Sequence, residues 1–256
     1  MGRNNNIIAI ANQKGGVGKT TTAVNLAASL AAAEQRTLLV DLDPQSNASS
    51  GVDVPPGTVE RTVYDALIGS VPLSEVIRTT QIPTLDVVPA SQDLTAVEYE
   101  LFDEVGRGTH LRKLLEQPPV EQYQYVIIDS PPSLGVLTLN VLGAASRVIV
   151  PMQAEYYALE GITYLMATID RVKDSLNPEL AVDGILITMW DPRSKLSHQV
   201  AAEVQRHFPV YATLIPRNIR LSEAPSHGLP ALLYDVQCKG AQAYLALARE
   251  LLEAAA

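Results

Sequence analysis

The sequence predicts an α/β fold in which a doubly wound, mostly parallel β-sheet is flanked by helices on both faces. Three observations predict it. Short apolar runs of strand length alternate with longer helical patterns along the chain. The runs are continuously apolar, which is typical of strands that are covered on both faces. A glycine-rich loop joins the first run to the first helix, at the edge where such sheets bind ligands.

Seven apolar runs are the predicted strands. They cover Ile7–Ala11, Thr37–Leu42, Leu85–Val88, Tyr125–Ile128, Arg147–Val150, Gly184–Met189 and Val210–Leu214. The predicted helices are Thr20–Ala33, Thr62–Ile68, Ser91–Phe102, Gly108–Glu116, Leu134–Ala144, Ala158–Ser175, Ser197–His207 and Gly240–Glu253. Because strands and helices alternate, neighbouring strands are expected to pair in parallel.

Length and composition favour one domain over residues 1–256. The chain has 256 residues, of which 47% are hydrophobic, enough to bury a full core. One large domain and two small ones fit this length equally well. No low-complexity stretch, charged linker or fixed-period repeat divides the chain, so we predict a single domain.

Cysteine and hydropathy define the expected compartment. The single cysteine, Cys238, excludes an intramolecular disulfide framework and a zinc site built from paired cysteines. The four histidines have no metal-ligand spacing with one another or with Cys238. No apolar run approaches the roughly 18 residues that suggest a membrane span. The sequence therefore predicts a cytoplasmic protein without membrane attachment.

A phosphate-binding loop is predicted at Lys14–Thr20, between the first strand and the first helix. Glycines let several backbone N–H groups point at one anion, and the helix dipole adds positive potential. In the usual P-loop, G-x-x-x-x-G-K-[ST], Lys19 contacts the β- and γ-phosphates and the Thr20 hydroxyl binds Mg²⁺. Here Gln13 occupies the position of the first glycine, and Lys14 is an additional lysine.

Acidic residues follow two of the other predicted strands. Asp41 and Asp43 lie at the end of one, and Asp129 lies at the end of another. An aspartate that ends an apolar strand holds Mg²⁺ directly or through water in P-loop proteins, and we assign this role to Asp129. Asp43 is closer to the loop than Asp41, so we predict that it orients the attacking water or contacts the metal's water shell. The loop after it, 44–51, is predicted to act as a switch.

Net charge argues at first sight against nucleic acid, because the chain carries −9 and has a pI near 4.9. The distribution is uneven. Residues 186–249 contain seven basic and four acidic side chains, a local charge of +3. A basic face on an acidic body and an ordinary mixed surface both fit this count.

Five sequence blocks together resemble the ParA/Soj chromosome-partitioning ATPases. They are Lys14–Thr21, Asp41–Gln45, Ile127–Pro132, Glu155–Gly161 and Ile215–Gly228. The resemblance spans nearly the whole chain and keeps the order of the motifs. The form of the phosphate loop is shared with MinD-type and nitrogenase-iron-protein-type relatives. The specific resemblance to ParA/Soj proteins therefore rests on the later blocks. Ser130 departs from the cysteine of many family members.

The resemblance implies an ATPase that uses ATP or ADP with Mg²⁺ and forms an ATP-sandwich homodimer. Lys14 would contact the nucleotide of the opposite subunit, while Lys19 and Thr20 serve their own subunit. A cation supplied in trans can also stabilise charge in the transition state. The implied phosphate-binding set is Lys14, Gly15, Gly16, Val17, Gly18, Lys19, Thr20 and Thr21.

An adenine pocket is implied by the same resemblance. Its residues would be Thr188 and Met189, at the end of a predicted strand, and Pro216, Arg217 and Asn218. The sequence lacks an Asn-Lys-x-Asp motif after a strand, which is the guanine-reading element of GTPases. ATP is therefore favoured over GTP.

Non-specific double-stranded DNA and a ParB-like centromere-binding protein are the implied partners. We assign DNA contact first to Arg193 and Arg220, then to Lys195, Lys239 and Arg249. A dimer would double the local positive charge, and phosphate contacts require a local patch rather than a basic protein. Ordinary surface ion pairs remain an alternative for each of these residues. The expected location is the nucleoid.

Two alternative functions stay open at this point. A MinD-like membrane-positioning ATPase typically has a basic amphipathic C-terminal helix, whereas residues 248–256 have little cationic character. A metabolic P-loop enzyme that activates a carboxylate leaves no compact signature in a sequence. An electron-transfer protein is disfavoured, because one cysteine per chain cannot supply two cluster ligands.

Overall fold

The computed structural model describes residues 6–101, 106–155 and 158–254. A seven-stranded sheet forms its centre, in the spatial order β3-β4-β2-β5-β1-β6-β7. The strands are β1 Ile7–Ile10, β2 Thr37–Asp41, β3 Arg78–Thr79, β4 Leu85–Val88, β5 Tyr125–Asp129, β6 Arg147–Gln153 and β7 Ala181–Thr188. All neighbours pair in parallel except β3 and β4, which are antiparallel.

Eleven α-helices lie within the described residues. They are α1 Lys19–Ala32, α2 Asn47–Ser50, α3 Val63–Leu67, α4 Leu94–Glu100, α5 His110–Leu115, α6 Val136–Ala144, α7 Ala158–Ser175, α8 Lys195–Gln205, α9 Ile219–Glu223, α10 Ala231–Tyr234 and α11 Lys239–Ala254. In the described part of the chain, none of them has the length and apolar character needed to cross a membrane.

The predicted fold class is confirmed, and so are six of the seven predicted strands and all eight predicted helices, with shifted ends. Phe102, the predicted end of the third predicted helix, lies outside the described residues, as do Tyr156 and Tyr157 of the family block Glu155–Gly161. The antiparallel edge strand β3 and the short helices α2, α9 and α10 were not predicted.

The predicted strand Val210–Leu214 is wrong. Within the part of the chain that the structure describes, its one strand-like contact is an isolated parallel bridge between Val210 and Ile185. The amides of Ala212 and Thr213 donate instead to the two carboxylate oxygens of Glu250, at 2.7 and 3.0 Å. Because a side chain from α11 satisfies these backbone donors, the apolar run does not continue the ladder.

Alternate strand residues fill two cores, one on each face of the sheet. Ile8, Leu39 and Ile127 pack in the core that contains α1 and α11, whereas Ala9 and Ile128 face the opposite core. This alternation sets the direction of the acidic residues at the strand ends, because side chains two residues apart share a face. Asp41 and Asp129 follow Leu39 and Ile127, and both therefore face α1.

Candidate nucleotide site

The loop between β1 and α1 is held in a cradle by its own side chains. Asn12 accepts a hydrogen bond from the Lys14 amide at 2.9 Å and donates from Nδ2 to the Pro151 carbonyl on β6 at 2.8 Å. Gly16 and Gly18 have φ angles of 72° and 90°, which other residues rarely adopt. The amides at the start of α1 therefore open towards one point beyond the sheet, where an anion is stabilised.

Lys19, the first residue of α1, is buried within this cradle with 6% exposure. Its Nζ donates to the Lys14 carbonyl at 3.2 Å. Burial lowers the pKa of Lys19, and the negative charges of Asp129 and Asp43 oppose this shift. The ammonium group thus lies between the loop and two carboxylates, where a phosphate oxygen would find its countercharge.

Asp129 ends β5 beside the first turn of α1 and is fully buried. Its Oδ1 accepts a hydrogen bond from the Ser130 amide at 3.1 Å, whereas the buried Oδ2 has no hydrogen-bond partner among the residues that the structure describes. Burial raises the pKa of Asp129 well above its ordinary value, and the neighbouring charge of Asp41 adds to the shift. The hydroxyl of Thr20 and the ammonium of Lys19 favour the charged form.

These oxygens fit a magnesium ion. Mg²⁺ takes oxygen ligands, usually one or two carboxylates together with waters and substrate phosphates. The unpartnered Oδ2 of Asp129 and the adjacent Thr20 hydroxyl are such ligands at the mouth of the loop. Asp43, with 7% exposure, lies close enough to Lys19 for the two charges to influence each other. The predicted metal set is therefore gathered at one edge of the sheet.

Asp41 was not assigned a site role from the sequence, but the structure makes it the anchor of the Asp43 loop. Its Oδ1 accepts from the Asp43 amide at 3.1 Å, and its Oδ2 accepts from the Ser49 amide and hydroxyl at 2.8 and 2.7 Å. The Ser49 Oγ also accepts from the Ala90 amide at 3.0 Å. Burial raises the pKa of Asp41 to about 6, and the hydrogen bonds from Ser49 and Asp43 oppose the shift.

Asp43 itself keeps one oxygen engaged in the loop. Its Oδ1 accepts from the Gln45 amide at 2.9 Å, a contact typical of an Asx-turn. Burial raises the pKa of Asp43, while that hydrogen bond and the charge of Lys19 lower it. The segment that follows, predicted to be a switch, contains α2 and packs against α1, with Ala48 and Ser49 fully buried.

Lys14 makes a contact that the sequence did not predict. Its Nζ lies 2.6 Å from Glu155 Oε2 of the same chain, and both side chains are 46% exposed. Glu155 follows β6 and begins one of the family blocks. The extra lysine of the loop is therefore held at the rim of the site rather than inside it.

A cavity of about 290 Å³ opens beside the loop at the first turn of α1. All five predicted adenine residues, Thr188, Met189, Pro216, Arg217 and Asn218, line it together with Gly18, Thr21, Ile215, Leu221, Ser222, Pro225 and Tyr244. Thr188 ties this wall to the loop, because its hydroxyl donates to the Val17 carbonyl at 2.8 Å. Met189 has a φ of 51°, a strained value for a side chain of this size.

Comparison with known proteins agrees with this geometry. A family model described as an AAA domain matches residues 5–182. The chromosome partitioning protein ParA of Myxococcus xanthus is 54% identical to the chain, over 96% of the chain and 88% of the relative. The chain belongs to the ParA/Soj family. The sporulation initiation inhibitor protein Soj of Bacillus subtilis is 50% identical, over 96% of the chain and 97% of Soj.

Solved structures include a relative with ligands. Cobyrinic acid a,c-diamide synthase from Mycobacterium smegmatis, with bound ATP analogue and magnesium, superposes with a TM-score of 0.87 and 38% identity. The alignment covers 96% of this chain and 94% of that protein. The ligands of that structure match the predicted cofactors, ATP or ADP with Mg²⁺.

The predicted DNA-contacting residues of this ParA/Soj chain are exposed, but Arg193 and Arg220 are paired with acids. Arg193 pairs with Asp191 at 3.1 Å. Arg220 pairs with Glu223 at 2.8 Å and with Asp235 at 3.4 Å, and its guanidinium lies 5.8 Å from the centre of the Tyr234 ring. DNA phosphates would have to compete with these carboxylates.

The other predicted DNA contacts do not all lie together. Lys195 begins α8 and Lys239 begins α11. Arg249 is ten residues further along α11, about 15 Å at 1.5 Å per residue. It lines a groove with Ala32 and Ala33, at the end of α1 away from the phosphate loop. Arg249 is therefore remote from the loop edge, and DNA contact by it remains a prediction.

Sequence reasoning missed five pocket residues, namely Ile215, Leu221, Ser222, Pro225 and Tyr244. Four of them lie within the family block Ile215–Gly228, which was a usable signal. Tyr244 comes from α11 and its hydroxyl lies 3.1 Å from that of Thr22 in α1. No local pattern predicts this contact, because 222 residues separate the two side chains.

Proposed function

We propose that this chain is a Mg²⁺-dependent DNA-segregation ATPase. ATP would assemble a sandwich dimer that binds double-stranded DNA without sequence preference, and hydrolysis stimulated by a ParB-like protein would release it. The observation that carries the proposal is the convergence of Lys19, Thr20 and Asp129 at the phosphate loop of a chain that belongs to the ParA/Soj family. We expect this single domain to act in the cytoplasm, on the nucleoid.

Nucleotide binding would use both halves of the site. The loop amides and Lys19 would hold the phosphates, and the cavity beside Thr21 would hold the adenine. The cavity lining supports ATP over GTP, because the lining residues that the structure describes include no acidic residue to pair with a guanine edge. Bound Mg²⁺, held by Thr20 and Asp129, would neutralise charge on the phosphates.

Hydrolysis in this proposal depends on the positioning of the attacking water. Phosphoryl transfer needs in-line placement of water more than proton abstraction. Asp43 would orient that water, since its carboxylate is buried near Lys19 and its backbone is fixed by Asp41. Lys14 would leave Glu155 and contact the phosphates bound to the other subunit. This exchange is feasible because an exposed ion pair is worth less than about 1 kcal/mol.

DNA binding would use exposed arginines and lysines brought together by dimerisation. Arg220 supports this role best, because the helix that carries it also lines the nucleotide cavity. The remaining members of the set are Arg193, Lys195, Lys239 and Arg249. Counterion release upon phosphate contact would make the binding strongly dependent on salt.

One experiment tests the proposed function directly. ATPase activity and retention on linear double-stranded DNA are measured with ATP, ADP and GTP, each with Mg²⁺, with and without the ParB-like protein encoded beside the gene. We expect the protein to be retained on DNA with ATP but not with ADP or GTP. Retention should fall steeply as the salt concentration rises, and hydrolysis should be faster when DNA and the partner are both present. Equal retention with ATP and ADP would contradict the proposal.

A metabolic amide-forming ATPase is the second candidate, because a diamide synthase shares 38% identity with the chain. The higher identity of 54% with a ParA protein favours segregation. ATP hydrolysis that requires a carboxylate substrate and an amide donor, and ignores DNA, would support the metabolic function instead. A MinD-like function would show as ATP-dependent binding to anionic lipid vesicles.

A further inference from the structure

The nucleotide cavity shares a wall with the arginine proposed to contact DNA. Leu221 and Ser222 of α9 line the cavity, and Arg220, on the same helical turn, is exposed to solvent. α9 is only five residues long. A short helix of this kind has little stability of its own, so its position depends on the contacts that hold it.

Asn25 connects α1 to α10, the helix that packs against α9. This buried side chain of α1, 5% exposed, donates from Nδ2 to the Thr21 carbonyl at 2.8 Å. Its Oδ1 accepts from the amide of Ala231, the fully buried first residue of α10, also at 2.8 Å. Thr21 lines the cavity, whereas Asn25 does not. One side chain therefore joins the nucleotide helix to α10.

The contacts continue from α10 to the arginine. The amide of Asp235 donates to the Ala231 carbonyl at 2.8 Å, and the Asp235 carboxylate lies 3.4 Å from Nε of Arg220. The Tyr234 ring, one residue before Asp235, lies beneath the same guanidinium. An uninterrupted series of polar contacts thus leads from the Thr21 carbonyl at the cavity to the exposed charge of Arg220.

We propose that Asn25 is a positioning residue that makes the placement of Arg220 depend on the nucleotide in the cavity. The inference rests on the proposed function, because it requires that Arg220 contact DNA in the ATP state. A nucleotide that displaces the first turn of α1 moves the Thr21 carbonyl. Asn25 passes this displacement to α10 and Asp235, since a buried amide such as that of Ala231 does not give up its acceptor without cost.

Asn25→Ala tests the proposal through a ratio of affinities. The affinity for linear double-stranded DNA is measured with a non-hydrolysable ATP analogue and with ADP, each with Mg²⁺, and the two values are divided. We expect this ratio to fall about fivefold or more in the variant, the range of a typical coupling between two sites. The affinity for the ATP analogue itself and the dimer fraction in light scattering should change little, because Asn25 does not line the cavity.

Asn177→Ala is the matched control. Asn177 is another buried asparagine, 1% exposed, whose Nδ2 donates to the carbonyls of Leu142 and Ala145. Loss of the Asn177 side chain should lower the melting temperature without changing the ratio of DNA affinities in the two nucleotide states. If Asn25→Ala does not fold, Asn25→Asp keeps the volume and the acceptor for Ala231 but cannot donate to Thr21. The same fall in the ratio is then expected.

The outcomes separate this inference from the proposed function. A wild-type protein with equal DNA affinity in both nucleotide states contradicts the proposed function, and this inference falls with it. A wild-type ratio that persists in the Asn25 variant overturns only the positioning role. An equal fall in Asn177→Ala, or a fall that follows lost dimerisation, would assign Asn25 a merely structural role and would also overturn it.

Discussion

Lys14 and Glu155 form a 2.6 Å ion pair within one chain, across 141 residues of sequence. The pair holds the additional lysine of the phosphate loop outside the cradle, while Lys19 occupies the inside. The two lysines of the loop therefore have different surroundings in the same protein. Lys14 is half-exposed at the rim of the site, whereas Lys19 is buried within the cradle.

Lys14→Ala should abolish ATP-dependent dimers. The variant retains Lys19, so it should still bind ATP, but it lacks the cation proposed to reach the other subunit. We expect hydrolysis to fall about 1000-fold, the range seen when a cation supplied in trans is lost. Light scattering with ATP and with ADP measures the dimer, and an unchanged dimer fraction would remove Lys14 from the interface.

Glu155→Gln is the matched control for Lys14. It breaks the same ion pair but leaves the lysine free, so it should fold normally and dimerise with ATP at least as well as the wild-type protein. If both variants lose the dimer equally, the pair itself, rather than Lys14 acting in trans, is what the dimer needs.

Asp43→Ala should separate ATP binding from hydrolysis. The carboxylate is placed near Lys19, while the backbone of its loop is held by Asp41 and Ser49. The truncated residue leaves that support in place, so the ATP-bound dimer should form and persist. We expect turnover to fall about 100-fold or more. Single-turnover phosphate release provides the measurement, and a normal rate would exclude Asp43 from the mechanism.

The sequence predicted the sheet well because its strands are covered on both faces and therefore read as continuous apolar runs. The failure at Val210–Leu214 has a specific cause. An apolar run shows that a segment is buried, but not which groups take its backbone hydrogen bonds. Glu250 accepts two of these hydrogen bonds, and a partner 37 or 38 residues away cannot be predicted from the local sequence pattern.

The candidate site likewise contains residues that the sequence predicted and residues that it did not. The loop, Asp43 and Asp129 were predictable because fixed spacing and strand ends place them at one edge of the sheet. The sequence did not predict a role for Asp41, because that role depends on Ser49, which approaches Asp41 only through the turn into α2. Asn25 and Tyr244 could not be predicted, since their partners lie more than 200 residues away.

The buried Asp41 should make stability depend on pH. Its folded pKa of about 6 lies above the ordinary 3.8, so folding favours its protonated form. The stability that this group contributes is fully present below pH 3.8 and is lost as the pH rises through about 6. The shift corresponds to about 3 kcal/mol of unfolding free energy.

Asp41→Asn removes this titration. Urea unfolding of the metal-free protein at several pH values measures it. We expect the variant to gain stability relative to the wild-type protein between pH 4 and 6, because it has no buried charge to form. A difference between the two proteins that stays constant over this range would mean that Asp41 is ionised throughout.

Gly15 should tolerate a side chain in the single subunit. A Cβ atom built there meets nothing within 4 Å, in contrast to Gly16 and Gly18, whose positive φ angles oppose substitution. Gly15→Val should therefore fold and bind ATP, as measured by calorimetry. If the partner subunit approaches this loop, the dimer should be lost in light scattering. A variant that still dimerises would contradict a close approach at Gly15.

Glu223→Gln should strengthen DNA binding. The carboxylate of Glu223 lies 2.8 Å from Nη1 of Arg220 and competes with DNA phosphates for it. Its neutralisation should raise the DNA affinity of the ATP-bound protein about two- to fivefold, the range of an exposed ion pair.

Arg220→Ala should lower the DNA affinity of the ATP-bound protein. It should also reduce the salt dependence of DNA binding by about one counterion per subunit. As a control, Arg206, which directly follows α8 and is outside the predicted set, pairs with Glu203 at the same distance. Arg206→Ala should leave both measurements unchanged, and an equal loss there would show a diffuse charge effect instead of a contact by Arg220.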